Sequence, residues 1–456
     1  MIQNYLKIAW RSLLKNGIYS FVNIAGLAIG MAACFFVLLY VYFESGYDRF
    51  HTNASRIYRV PISMTAVRTD GDTGSQPDGH LATNHPTVAI AMKRDFPEVD
   101  SYVRMMNFSV FASKYAVSSD RPGAERKVFN ETRAFLADSS FFNVFSFPLV
   151  KGSRQHCLEE PNTIVISESV ARKYFGNSDP MNQTLTLNGN IFWMPGVSEV
   201  PFKVTGVFGD VPENSHIKFD MLMSFETFRP DWLTNNWAWP EFYNYVLLAP
   251  GTDVKKLEAK LPGFIEKYLG ASMKQFNFRA DFHLQPVTDI HLKSRYSMEA
   301  EVNGSEREVY FLSVIGIFII VIAWINYINI SRAKSMERAR EVGVRKVAGA
   351  KKPQLIVQFL LESFIINTLA LATSLVVIAA CMPFFARLVG KNIGMASFWS
   401  GLGSQPLFWI AAIALFVAGA FLVGAYPAFV LSSFKPVSVL KGLIIKSNTR
   451  ISLRRV

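Results

Sequence analysis

Four long apolar blocks, one near the start of the chain and three near its end, constrain the fold more than any other feature. They cover Ile18–Phe43, Val309–Ile330, residues 355–386 and Pro406–Leu431. A helix needs about 20 apolar residues to cross a bilayer, and each block is long enough. Between the first and the second lies a polar stretch of globular composition, Glu44 to Glu308. A soluble fold cannot bury four such helices beside a separate domain of that size. The expected fold class is therefore membrane α-helical, with four transmembrane helices, plus an extracytoplasmic mixed α/β domain of two subdomains.

Charge sets the expected orientation. The chain carries 47 Lys and Arg against 35 Asp and Glu, a net +12. The N-terminal tail holds Lys7, Arg11 and Lys15 without an acid, and the C-terminal tail is likewise basic. Eight basic residues lie between Arg332 and Lys352, against only Glu337 and Glu341. The Glu44–Glu308 stretch, in contrast, has 28 basic and 32 acidic residues. Positive charge beside a span stays in the cytoplasm, so both termini and the 331–354 segment belong there, with the large domain outside. The high pI is then a topology signal and implies no nucleic-acid partner. The first span is not followed by a small-x-small cleavage site and reads as an uncleaved anchor. Cys34 and Cys381 fall in spans and Cys157 alone lies in the outer domain, so no disulfide framework is expected there.

Along the chain, residues 1–17 read as a cytoplasmic amphipathic helix on the membrane surface, with Lys7, Arg11 and Lys15 on one face. Spans follow at 18–43, 309–330, 355–386 and 406–431. The outer domain takes 44–308, with a strand-rich subdomain inserted at about 101–225. The 387–405 segment is an outer loop and 432–456 a basic cytoplasmic tail. Within the outer domain, Pro86–Phe96 reads as a helix and Tyr102–Val117 as one or two strands. Thr163–Ile166 reads as a strand feeding a helix capped by Ser167 and Gly176. Thr184–Leu187, Phe202–Phe208, Tyr243–Leu248 and Phe282–Val287 read as strands, and Asp253–Tyr268 as a helix. Residues 68–80, rich in Ser, Gly and Asp, read as a loop.

The chain lacks a Gly-x-Ser-x-Gly elbow, a His-Glu-x-x-His zinc helix and a phosphate-binding loop. Its seven histidines stand at no metal-ligand spacing, and His80 and His85 are expected as solvated imidazoles. Ser215-His216 and Asp289-Ile290-His291 are fragments that a triad could use, though a structural role is the stronger expectation. No catalytic residue, metal site or cofactor is assigned to this chain. In the spans, Gly26 and Gly30 form a GxxxG pair that admits close helix approach. Asn326 and Asn329 are expected to hydrogen-bond a neighbouring helix. Glu362, the one carboxylate within a span, is expected to pair with Arg345 or Lys346.

The segment between the second and third spans is patterned as well as basic. Val342, Val344, Val347 and Ala348 break up the charges, and Glu341 stands one helical turn before Arg345. Glu341-Val-Gly-Val-Arg-Lys-Val-Ala-Gly-Ala350, followed by Gln358-Phe-Leu-Leu-Glu-Ser363, is very similar to the signature of FtsX-like permeases of ABC transporters, the type VII or MacB-like class. Tyr426-Pro427-Ala428, Ser433-Phe-Lys-Pro-Val437 and Leu440-Lys-Gly442 match the end of the same unit. Asn23-Ile-Ala-Gly-Leu-Ala-Ile-Gly30 and Tyr47-Asp-Arg-Phe-His51 look like its N-terminus in Bacteroidota. The resemblance implies a MacB-like periplasmic core domain and a location in the bacterial inner membrane. It implies that a separate cytoplasmic ABC ATPase dimer binds ATP-Mg and is contacted through Glu341, Gly343, Arg345, Lys346, Gly349 and Ala350 as a coupling helix. It also implies a second permease unit, either another copy or the other half of a longer chain, and leaves room for a periplasmic or outer-membrane partner. The alternative is a regulatory or sensory membrane protein that controls a periplasmic hydrolase.

Overall fold

The structure, a computed structural model, describes residues 11, 13–15, 17–67, 79–110, 115–119, 126–189, 198–228, 235–333, 335–391, 393–394, 398–399 and 401–433. The amphipathic helix expected at 1–17 and the basic tail at 432–456 lie almost wholly outside these residues, as does most of the 68–80 loop. Contacts divide the chain into two units, one from Phe43 to Glu306 and one from the segments flanking it.

Among the described residues, the flanking unit holds four helices long and apolar enough to cross a membrane: Gly17–Ser45, Glu306–Ala333, Lys352–Val389 and Pro406–Ser433. Each outruns its apolar block by a few residues, because a helix extends until its backbone groups find caps or water. The third has 38 residues, about 57 Å at the usual rise, well beyond an apolar thickness of about 30 Å. A shorter helix, Ser335–Val347, lies between the second and third. The buried side of the third helix repeats every three or four residues through Leu355, Phe359, Ser363, Ile366 and Ala370, one stripe turned toward its neighbours.

The outer unit is built on a mixed sheet of 12 strands. From one edge its order is Gln285–Pro286, Ile57–Arg59, Tyr243–Leu248, Val99–Asn107, Ala134–Ala137, Met221–Ser224, Thr163–Ser167, Glu199–Phe208, Thr184–Asn188, Tyr115–Ser119 and Lys127–Glu131, with Leu149–Lys151 also pairing to Glu199–Phe208. Two of its pairings are parallel, Thr163–Ser167 with Glu199–Phe208 and Ala134–Ala137 with Met221–Ser224. A smaller sheet joins Phe278–Phe282, Ile62–Ala66 and Gly79–Leu81. Backbone pairing runs straight through the boundary expected for the inserted subdomain, since Val99–Asn107 bonds to Tyr243–Leu248. The described side chains nonetheless sort into three hydrophobic clusters. One, around Phe202 and Tyr174, draws only on residues 106–242, and another packs Leu261–Gln275 on the small sheet.

Local chemistry accounts for the element ends. The Ser167 hydroxyl accepts from the Val170 amide at 3.2 Å and Gly176 closes that helix at φ +61°. Two expectations need correction. The helix expected over Asp253–Tyr268 is two, Val254–Glu258 and Leu261–Gln275, because Pro262 starts a new first turn. The strand expected over Phe282–Val287 ends at Phe282, which closes the small sheet; Gln285–Pro286 then joins the large one before a 3-10 turn.

Candidate functional site

The segment between the second and third membrane-length helices is held by its own side chains. Val342 is buried against Leu355, Phe359 and Ala428, so the short helix is pinned to the start of the third helix and the end of the fourth. Gly343 is buried beside it. Arg345 donates to Gln358 Oε1 at 2.8 Å and pairs with Glu341 at 2.5 Å. The Ala350 amide donates to the Arg345 carbonyl at 3.0 Å and the Gly349 amide to Lys346 at 3.1 Å. With Gly349 at φ +96° this is a Schellman cap, a backbone shape that glycine adopts without cost. The Lys351 amide then donates to Gln354 Oε1 at 2.9 Å and the third helix begins. Charge-assisted bonds and a closed cap leave this elbow little freedom.

The face turned outward differs from the one expected. Arg345 points at Gln358, not away from the bundle, while Lys346 and Ala350 are half-buried. Glu341, Val344, Val347, Ala348 and Gly349 form the exposed stripe, with Val344 58% and Val347 67% exposed. Val344 and Val347, two bare valines on a short, stiffened helix, stand outside the contact set expected from the sequence, which named them only as breaks between charges. Their signal was present, a Val-x-x-Val pair at helical spacing among charges.

The helix-packing residues divide. A Cβ on Gly30 would stand 2.7 Å from the Ala323 Cβ, and one on Gly26 would stand 3.5 Å from Asn326 Nδ2, so the pair faces the second helix at van der Waals range. Gly316 reciprocates against Val37. Asn326 and Asn329 are exposed and make no hydrogen bond among the described residues, contrary to expectation. The inward face of that helix runs through Gly316, Ile320, Ala323, Tyr327 and Ser331, and 326 and 329 lie together off that face. One cross-helix polar contact is Tyr327 with Ser363, at 3.4 Å. Glu362 is buried one turn beyond Gln358.

In the outer unit the triad fragments resolve into buried structure. His216 Nδ1 lies 2.9 Å from Asp48 and its Nε2 lies 2.8 Å from the Tyr245 hydroxyl. Ser215 Oγ bonds Asp48 at 3.4 Å and not the imidazole, so no nucleophile is activated. His291 Nε2 meets Glu44 at 2.6 Å, again fully buried. His85 is buried as well, contrary to the expectation of a solvated ring, and burial pushes its imidazole down to about 4. The His51 ring is pushed down to about 4 by burial, against the opposing pull of Asp48. Among the described residues, no three His, Cys, Asp or Glu side chains gather as a metal site.

Two family matches cover most of the chain, a MacB-like periplasmic core domain over residues 20–263 and an FtsX-like permease C-terminal over residues 313–436. Curated relatives include the macrolide export ATP-binding/permease protein MacB of Pasteurella multocida, 22% identical over 79% of this chain and 50% of its own length. The pyoverdine export ATP-binding/permease protein PvdT of Pseudomonas syringae pv. syringae is 23% identical over 50% of this chain and 32% of its own length. The uncharacterized ABC transporter permease YknZ of Bacillus subtilis is 24% identical over 44% of each. The chain thus spans half or less of the length of these three curated relatives. Among solved structures, a permease domain from Porphyromonas gingivalis is 24% identical with a TM-score of 0.42, over 52% of this chain and 92% of that one. The periplasmic region of MacB from Actinobacillus actinomycetemcomitans is 15% identical with a TM-score of 0.32, over 50% and 88%.

Proposed function

Since the chain belongs to the MacB-like periplasmic core domain family and carries an FtsX-like permease C-terminal segment, we propose that it is the permease component of an ABC-type assembly whose cytoplasmic ATPase docks on the helix Ser335–Val347 and its Gly349 turn. The ATPase dimer holds ATP-Mg, and this chain turns its closure into movement of the membrane helices and the outer domain. The chain lies in a bacterial inner membrane with both termini inside, as its basic segments suggest. A second permease unit completes the assembly, and an envelope protein outside is a further partner. The work done is export or mechanical action on something outside the membrane. Relatives bearing transport names favour this over the regulatory alternative.

One observation carries the reading: two exposed valines on a helix braced by Val342, the Arg345–Gln358 bond and the cap. A partner helix groove would cover that apolar stripe, and a braced elbow passes displacement on where a loose loop would absorb it. Replacing both Val344 and Val347 with Asp is expected to abolish co-purification of the ATPase and its stimulated hydrolysis, with helical content unchanged. Desolvating even one of these carboxylates costs about 2 kcal/mol or more, a loss of at least tens of fold in affinity. Undiminished stimulation in that variant would sink the docking assignment.

A further inference from the structure

Around His291 the outer unit draws together the two places where the chain passes to and from the membrane-length helices. Glu44 sits in the last turn of Gly17–Ser45, and Gly304 stands two residues before Glu306–Ala333 begins. The His291 ring takes Glu44 at 2.6 Å on its Nε2, and the Tyr47 ring stacks on it at 3.3 Å and 5°. The His291 carbonyl accepts the Gly304 amide at 2.9 Å. Gly304 lies over the Glu44–His291 contact so closely that a Cβ there would be 2.8 Å from both Glu44 Oε2 and His291 Nε2. One turn on, the Asp48 amide donates to the Asn214 carbonyl at 2.9 Å and its carboxylate meets His216, whose other nitrogen meets Tyr245. Tyr245 belongs to the strand Tyr243–Leu248 inside the large sheet. All these side chains are buried, where removing one partner of a polar contact leaves the other unsatisfied.

We propose that His291 is a positioning residue that locks residues 44–48 and 291–304 into one stiff joint, continuous through Asp48 and His216 with the strand Tyr243–Leu248 of the large sheet. Pulling on either crossing then loads the sheet and not a slack linker. The joint stands on geometry alone; its use in carrying ATP-driven movement rests on the permease reading above.

Hydrogen exchange on the full chain in lipid nanodiscs tests the joint. Gly304→Ala, which wedges the pair without removing either member, and Glu44→Gln, which removes only its charge, should each speed exchange about ten-fold or more at both 44–48 and 300–304. The far strands, such as Thr184–Asn188, should not change. Acceleration confined to the substituted crossing overturns the joint, as does no acceleration at all. If either variant fails to fold, the other carries the same test. A second arm follows a spin-label distance in the outer unit when ATP is added with the partner ATPase. If the natural chain shows no ATP-driven change, the permease reading fails while the exchange result still decides the joint. If it does, Gly304→Ala should keep stimulated hydrolysis and lose most of the distance change; an undiminished change removes the joint from the coupling path.

Discussion

At the scale of single residues, the outer unit stakes stability on side chains that look like surface in the sequence. Arg104 is 2% exposed and grips Asp138 through Nε and Nη2, at 3.0 and 2.7 Å. Arg59 does the same with Glu299, far away in the chain. Neither partner could be read from composition or spacing, because each pair closes only when segments distant in the chain meet. His51 and His85 show the measurable consequence. Both are held neutral, with burial pushing each imidazole from 6.5 to about 4. The unfolded chain takes up these protons near 6.5 and the folded chain only near 4, so their contribution is whole above 6.5 and is lost as pH falls toward 4. Each is worth about 3 kcal/mol across that window. Urea unfolding of the outer unit should show the midpoint falling from pH 7 to pH 4.5, and a His85→Gln variant that still folds should flatten the slope. An equal slope in that variant would show that His85 is not among the groups responsible.

Elements were more legible, because caps and periodicity are local. Ser167 and Gly176 close their helix as their types dictate, and each apolar block became a helix. Legibility ended where rotation about a helix axis mattered. Gly26 and Gly30 do face another helix, but Asn326 and Asn329 miss the inward face. Arg345 turned inward to Gln358 and left Val344 and Val347 as the outward stripe. An element-scale test follows from the gap at Gly30, where even a methyl group would overlap Ala323. Gly30→Val should cost about 1–3 kcal/mol by overpacking and lower the thermal midpoint in detergent. Gly17→Val, at a position open within 4 Å, should not. Equal effects at both positions would mean that close helix approach is not what Gly30 provides.

For the whole molecule, the protein is a membrane protein with an extracellular MacB-like domain, divided at Tyr42–Phe43 and Glu306–Arg307. Among the described residues, the three hydrophobic clusters of the outer unit are built from residues 50–300. Residues 43–306 produced alone should therefore be soluble and unfold cooperatively in urea, with near-ultraviolet dichroism and tryptophan fluorescence changing together; an aggregated or molten product would contradict that independence. By itself the sequence determined the class, the four spans and the position of the elbow, since transfer of apolar side chains and fixed turn chemistry act over a few neighbouring residues. Only tertiary structure decided which side of the elbow is bare, that one sheet crosses the expected subdomain boundary, and that Glu44, His216 and His291 meet in one buried joint. Those outcomes depend on helix rotation and on pairing between residues up to 247 positions apart, which local pattern does not encode.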